Sequence, residues 1–130
     1  WTAKFIRAMN HLHWPRKLNH APLAIRDFTE LIELQKRLPP EKQRDYFALG
    51  YVGLGDSYVK NRDEGIEENL AKAKQAWERG LAECPGRPEL LERLELYAKS
   101  ADKAELIQFI KDLRGLEDPV DTDLSRVWVD

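Results

Sequence analysis

The chain contains one cysteine, Cys84, and one methionine among its 130 residues. A lone cysteine cannot close an internal disulfide bond, so cysteine usage does not indicate a compartment. No apolar run approaches the ~20 residues that a membrane-spanning helix needs. No basic stretch followed by an apolar one marks a signal peptide either. These absences exclude a disulfide-stabilised scaffold, and we expect no membrane insertion.

An excess of charge of one sign is also absent. Lys and Arg number 21 against 23 Asp and Glu, so the formal net charge is −2, and the two signs are interspersed. A nucleic-acid-binding domain normally concentrates basic residues on one face, so we expect no nucleic-acid partner. Hydrophobic residues make up 42% of the chain, enough for one globular domain with its own core.

The first residue of the chain is relevant to whether the sequence is part of a longer protein. It begins at Trp1 rather than at an initiator methionine, which favours a piece of a longer protein. The compartment is not indicated, and the cytoplasm is the default expectation.

Signatures of catalysis are missing. None of the serines lies in Gly-x-Ser-x-Gly, and no pattern places a base beside Cys84. The run Gly50-x2-Gly53-x-Gly55 differs from the Gly-x-Gly-x-x-Gly phosphate loop, and its glycines are more typical of a close helix contact. We therefore expect no enzymatic activity and no cofactor.

Three histidines, His11, His13 and His20, fall close together in the sequence. His11 and His13 are two positions apart and do not share a helix face, and Pro15 interrupts the path to His20. Three imidazoles would meet at a metal only if a loop folded them together. We expect solvent-facing or groove-lining histidines and no metal, and a histidine-based metal module remains an alternative.

Apolar residues recur at helical spacing along most of the chain. They predict an all-α fold with helices near residues 1–14, 22–38, 40–60 and 66–83, a further helix that starts at Pro88 and includes Tyr97, and a last helix between Asp102 and Gly115. Prolines mark several of the boundaries, and Asp102 can cap the last helix. We predict a helical domain over residues 1–116, with helix pairs at about 1–40, 41–86 and 88–116. Residues 117–130, which include Trp128, are predicted to form an extended C-terminal tail.

The most specific pattern lies between residues 49 and 85. It combines large and small residues at helical spacing on two successive helices: Tyr51, Leu54, Gly55 and Tyr58 on the first, and Ala73, Trp77, Gly80 and the terminating Pro85 on the second. Small residues opposite large ones allow two helices to approach closely. The pattern resembles the tetratricopeptide repeat (TPR), although the stretch between the two helices exceeds what a repeat of about 34 residues allows.

The resemblance implies antiparallel helix pairs stacked as a short right-handed superhelix, and a role in protein–protein interaction. It places five residues on the concave face that binds a peptide or partner segment: Leu49, Val52, Asp56, Val59 and Lys60. Self-association through the C-terminal tail is a further possibility. The alternative function is a helical docking or accessory domain of a larger enzyme or secretion protein.

Overall fold

The computed structural model describes residues 1–13, 20–61, 65–99 and 103–114, and within these ranges it is all-α and contains no strand. The helices are α1 (Thr2–His13), α2 (Ala21–Arg37), α3 (Ala48–Lys60), α4 (Ile66–Glu83), α5 (Pro88–Lys99) and α6 (Ala104–Arg114). Two 3-10 turns, Pro40–Lys42 and Asp45–Phe47, join α2 to α3. The prediction of an all-α fold is confirmed.

The central element is α3. It contacts α1, α2, α4, α5 and α6, and eleven of its thirteen residues are buried. A helix that is surrounded on all sides needs apolar or small residues around its whole circumference. The sequence of α3 supplies them, including Gly50, Gly53 and Gly55.

Two of these glycines let large aromatic rings lie directly against the α3 backbone. A Cβ atom on Gly55 would come within 2.1 Å of Trp77 Nε1, and one on Gly53 would come within 2.2 Å of Phe28 Cζ. Trp77 and Phe28 are both fully buried. The Trp77 indole also donates to the Val52 carbonyl oxygen at 3.4 Å. Trp77 from α4 and Phe28 from α2 therefore pack against α3 from two sides.

The relation between α3 and α4 is reciprocal. On α4, a Cβ atom on Gly80 would lie 2.6 Å from Tyr51 Cβ, so Gly80 makes room for the Tyr51 ring. Each helix thus has a glycine that leaves space for an aromatic side chain of the other helix. The remaining core extends through all six helices and includes Leu12, Leu31, Ile32, Ala73, Leu90, Leu106 and Ile110.

The prediction of one continuous helix over residues 40–60 is wrong. Gln43 and Arg44 have extended backbone angles, which separate the two 3-10 turns, and α3 begins only at Ala48. The physical reason is visible in the side chain of Gln43. Its Nε2 donates to the carbonyl oxygens of Gln35 and Leu38, each at 2.9 Å, so the segment caps the end of α2 instead of joining α3.

Several other predictions concern particular residues. Ile66–Glu83 forms one helix, as the periodicity of residues 66–83 predicts. Leu91 of α5 is 47% exposed. Asp102 and the tail at residues 117–130 lie outside the described residues. No helix in the described ranges has both the length and the apolar character needed to cross a membrane.

Candidate functional site

A pocket of about 400 Å³ opens where the end of α2, the start of α3 and the end of α4 meet. Its size falls within the range of known ligand sites. The lining residues are Gln35, Lys36, Leu38, Pro40, Gln43, Arg44, Asp45, Phe47, Tyr51, Glu83 and Cys84.

The rim of the pocket is held in place by the segment between α2 and α3. Gln43 binds carbonyl groups at the end of α2. The Arg44 guanidinium donates through Nη1 to the carbonyl oxygens of Glu41 and Gln43, at 3.0 and 2.9 Å. These main-chain contacts satisfy carbonyl groups that the broken helix leaves free. They fix the rim independently of any ligand.

Gln35 provides one polar group to the pocket and is only 3% exposed. Its Oε1 accepts a hydrogen bond from the Trp1 indole at 2.5 Å. Gly50 permits this position, because a Cβ there would lie 2.8 Å from the same Oε1. The amide nitrogen of Gln35 donates to no described residue, and it remains accessible to solvent in the pocket.

Tyr51 provides a second polar group and is only 2% exposed. The Arg79 guanidinium lies 5.7 Å from the centre of its ring, while its hydroxyl makes no hydrogen bond to any described residue. Burial first, and then the Glu83 carboxylate, raise the pKa of the Tyr51 hydroxyl. The hydroxyl therefore stays protonated at neutral pH and can donate a hydrogen bond.

Cys84 lies half-buried at the pocket wall. Burial raises the pKa of its thiol, and the nearby Asp45 and Glu83 carboxylates raise it further against the opposing effect of Arg87. Since the thiolate is the reactive form of cysteine, this thiol is a poor nucleophile at neutral pH.

The five residues predicted on a concave face lie mainly inside the protein. Val52, Val59, Asp56 and Lys60 are buried, and Leu49 is half-buried. Lys60 Nζ donates to the Leu12 carbonyl oxygen at 2.5 Å. Their role in partner binding stays a prediction, and it would require helices to move apart.

Asp56 is engaged by α5. Arg93 donates through Nε to Oδ1 at 2.7 Å and through Nη2 to Oδ2 at 2.8 Å. Both side chains are almost completely buried. A paired, bidentate carboxylate deep in the core is suited to positioning α5 on α3 rather than to meeting a partner.

The structure brings two of the three histidines together. His11 Nδ1 and His20 Nδ1 are 3.0 Å apart, and His11 Nε2 lies 3.7 Å from the buried Asp27 carboxylate. His13 is exposed. The contact between His11 and His20 is not predicted from the sequence, and both side chains remain partly exposed.

No group of three or more metal-ligating side chains with suitable geometry occurs among the described residues. The absence of a metal site stays a prediction. Arg7 donates to both carboxylate oxygens of Asp27, at 3.0 and 3.2 Å, so this carboxylate is already paired.

Sequence reasoning does not find the pocket. The spacing of Tyr51 indicates only a helix-packing residue, and Gln35 belongs to no motif. The pocket depends on the interruption at Gln43 and Arg44, which the periodicity of residues 40–60 hides. The only local signal is Pro39-Pro40, which marks the end of α2 but not the shape of the segment after it.

Comparison with known proteins finds no matching protein family, no matching curated protein and no matching solved structure.

Proposed function

We propose that this domain is a protein-interaction module with TPR-like helix pairs, and that it binds a peptide segment of a partner protein in the pocket between α2, α3 and α4. The observation that carries the proposal is a pair of donors, Gln35 Nε2 and Tyr51 Oη, that line the pocket, have no hydrogen-bond partner among the described residues and remain accessible to solvent. A ligand that presents two acceptors would satisfy both.

The walls of the pocket favour binding over catalysis. Leu38, Pro40 and Phe47 offer apolar surface beside the polar groups, a combination that is typical of recognition sites. The one candidate nucleophile, Cys84, has a raised pKa. We therefore propose a binding function without an enzymatic one.

The pocket also suits the proposal better than the predicted concave face. Val52, Asp56 and Lys60 are buried and already have internal contacts, so binding there would break the core. Gln35 and Tyr51 are buried as well, but their polar groups line an open cavity. A peptide can reach the cavity without rearranging the helices.

Selection from a library of random peptides tests the proposal. The full chain is the target, and every selected peptide is re-measured against Lys36→Trp, which places a bulky side chain on the exposed rim of the pocket. Lys99→Trp is the matched control, since Lys99 is exposed on α5 and does not line the pocket. Thermal melts establish that both variants are folded.

We expect selected peptides to bind the wild type and Lys99→Trp equally and to bind Lys36→Trp at least roughly tenfold more weakly, because the rim substitution closes the site. Failure to select any peptide, or equal binding by both variants, would contradict the proposal.

A further inference from the structure

The charges around the pocket constrain its ligand. Lys36 and Arg44 contribute two positive charges, and Asp45 and Glu83 contribute two negative ones, so the lining has no formal net charge. A site for a phosphate or another compact anion would show an excess of cations around the donors. Arg44 Nη1 also donates hydrogen bonds to main-chain carbonyl groups of its own segment.

The Glu83 carboxylate acts on the buried tyrosine, and Arg79 opposes its effect. Glu83 is the charged group with the largest effect on the pKa of Tyr51, and it raises that pKa. Asp45 and Glu83 together raise the pKa of Cys84. Two independent groups on the same wall therefore experience a field that disfavours a further negative charge.

The N-terminus of α3 does not make the pocket favourable for a negatively charged ligand. A helix N-terminus attracts anions through its partial positive charge. Asp45 lies shortly before α3 and already supplies a carboxylate at that end. An incoming anion would compete with this carboxylate at the same place.

We infer that the pocket selects a neutral or basic extended peptide over an acidic or phosphorylated one, with main-chain carbonyl oxygens accepting hydrogen bonds from Gln35 Nε2 and Tyr51 Oη. A carbonyl oxygen is an acceptor without formal charge, so it satisfies both donors without repulsion from Glu83. Asp45 and Glu83 remain available for main-chain N–H groups or for a basic side chain of the peptide.

This specificity rests on the proposed function. Under it, the ligand of the pocket is a segment of another protein. The chain's own tail is a poor match, since residues 117–130 contain five acidic residues and one basic residue: Glu117, Asp118, Asp121, Asp123 and Asp130 against Arg126. A synthetic peptide of residues 117–130 serves as the competitor that distinguishes this source.

The test uses the library peptides that lose binding to Lys36→Trp, sorted by net charge. We expect neutral and basic sequences to dominate this set. Glu83→Gln should increase binding of an acidic peptide severalfold and leave a neutral one nearly unchanged. Glu78→Gln is the matched control, because Glu78 is exposed on the same helix and does not line the pocket.

The carbonyl contact is tested by Tyr51→Phe. The variant keeps the ring against Gly80 and removes only a hydroxyl without a described partner, so the fold should be retained. We expect roughly three- to tenfold weaker peptide binding, the effect of losing one hydrogen bond. Tyr97→Phe, outside the pocket, should bind as the wild type does.

The outcomes separate the two claims. If no peptide depends on the pocket, the proposed function fails and the specificity falls with it. If peptides bind in the pocket but acidic ones dominate, if Tyr51→Phe binds as Tyr97→Phe does, or if the tail peptide competes as well as a basic one, the function stands and the inferred specificity is overturned.

Discussion

At the scale of single residues, the distance between α3 and α4 depends on Gly55. Any side chain at this position would overlap the five-membered ring of Trp77, with contacts of 2.1 to 2.6 Å to Nε1, Cε2 and Cδ1. Real Cβ atoms do not approach that closely, so either the ring or the helix would have to shift. Gly55 therefore has a steric role rather than a conformational one.

We predict that Gly55→Ala lowers the free energy of unfolding by up to about 2 kcal/mol, because overpacking of about 1–3 kcal/mol opposes the ~1 kcal/mol gained from replacing a helical glycine. In a Trp77→Phe background the loss should be smaller, since a phenyl ring lacks the clashing indole atoms. Urea denaturation of the wild type, both single variants and the double variant measures the coupling.

A coupling energy below about 0.5 kcal/mol would mean that the two residues act independently. The contact between Gly55 and Trp77 would then not determine the separation of α3 and α4.

At the scale of elements, α5 is attached to α3 through a buried ion pair. Arg93 binds both oxygens of Asp56 and also donates to the Glu89 carbonyl oxygen at 3.1 Å. Its guanidinium lies 5.5 Å from the centre of the Phe109 ring of α6. One side chain thus links three helices, and its loss would remove a bidentate cation from a buried carboxylate.

We predict that Arg93→Met destabilises the domain by about 3–5 kcal/mol, the usual cost of breaking a buried pair. Combining it with Asp56→Leu should recover most of the loss, because the buried charge that has lost its cation is then removed. Chemical denaturation of the single and double variants measures both steps. A double variant no more stable than Arg93→Met alone would show that the charge itself is not the cause.

His20, just before α2, contributes to the pH dependence of stability. Burial first, then His11 and Lys60, lower the pKa of His20 below its ordinary value of 6.5. The folded state therefore binds this proton less readily than the unfolded state. The stability that this difference contributes is present above about pH 6.5 and declines as the pH falls below it.

We predict that the free energy of unfolding decreases between about pH 7.5 and about pH 5.5, and that His20→Gln removes part of this decrease. His13→Gln, at an exposed position of α1, is measured beside it. The prediction fails if His20→Gln loses as much stability on acidification as the wild type does.

At the scale of the whole molecule, the sequence predicts the features that short-range periodicity determines. The all-α class, the positions of α2, α4 and α5, and the small residues of α3 and α4 that accommodate Trp77 and Tyr51 can all be derived from spacing. Helical periodicity is strong in α2, α4 and α5 because each of these helices buries one face and exposes the other.

The remaining features depend on contacts between distant parts of the chain. Gln43 caps α2 and interrupts a helix that periodicity favours, and Trp1 meets Gln35 across α1 and α2. Val52 is predicted on a concave face, yet α3 is covered on all sides. Local patterns do not report such contacts, so the pocket is invisible in the sequence although its lining residues are ordinary ones.

The most direct test of the central claim follows the side-chain amide of Gln35 by NMR while a pocket-dependent peptide is added to the full chain. We predict a saturable shift of the Gln35 side-chain amide resonance, while that of Gln75, which is exposed on α4 and does not line the pocket, stays in place. An unchanged Gln35 resonance, with shifts confined to other helices, would contradict the assignment of this pocket as the peptide-binding site.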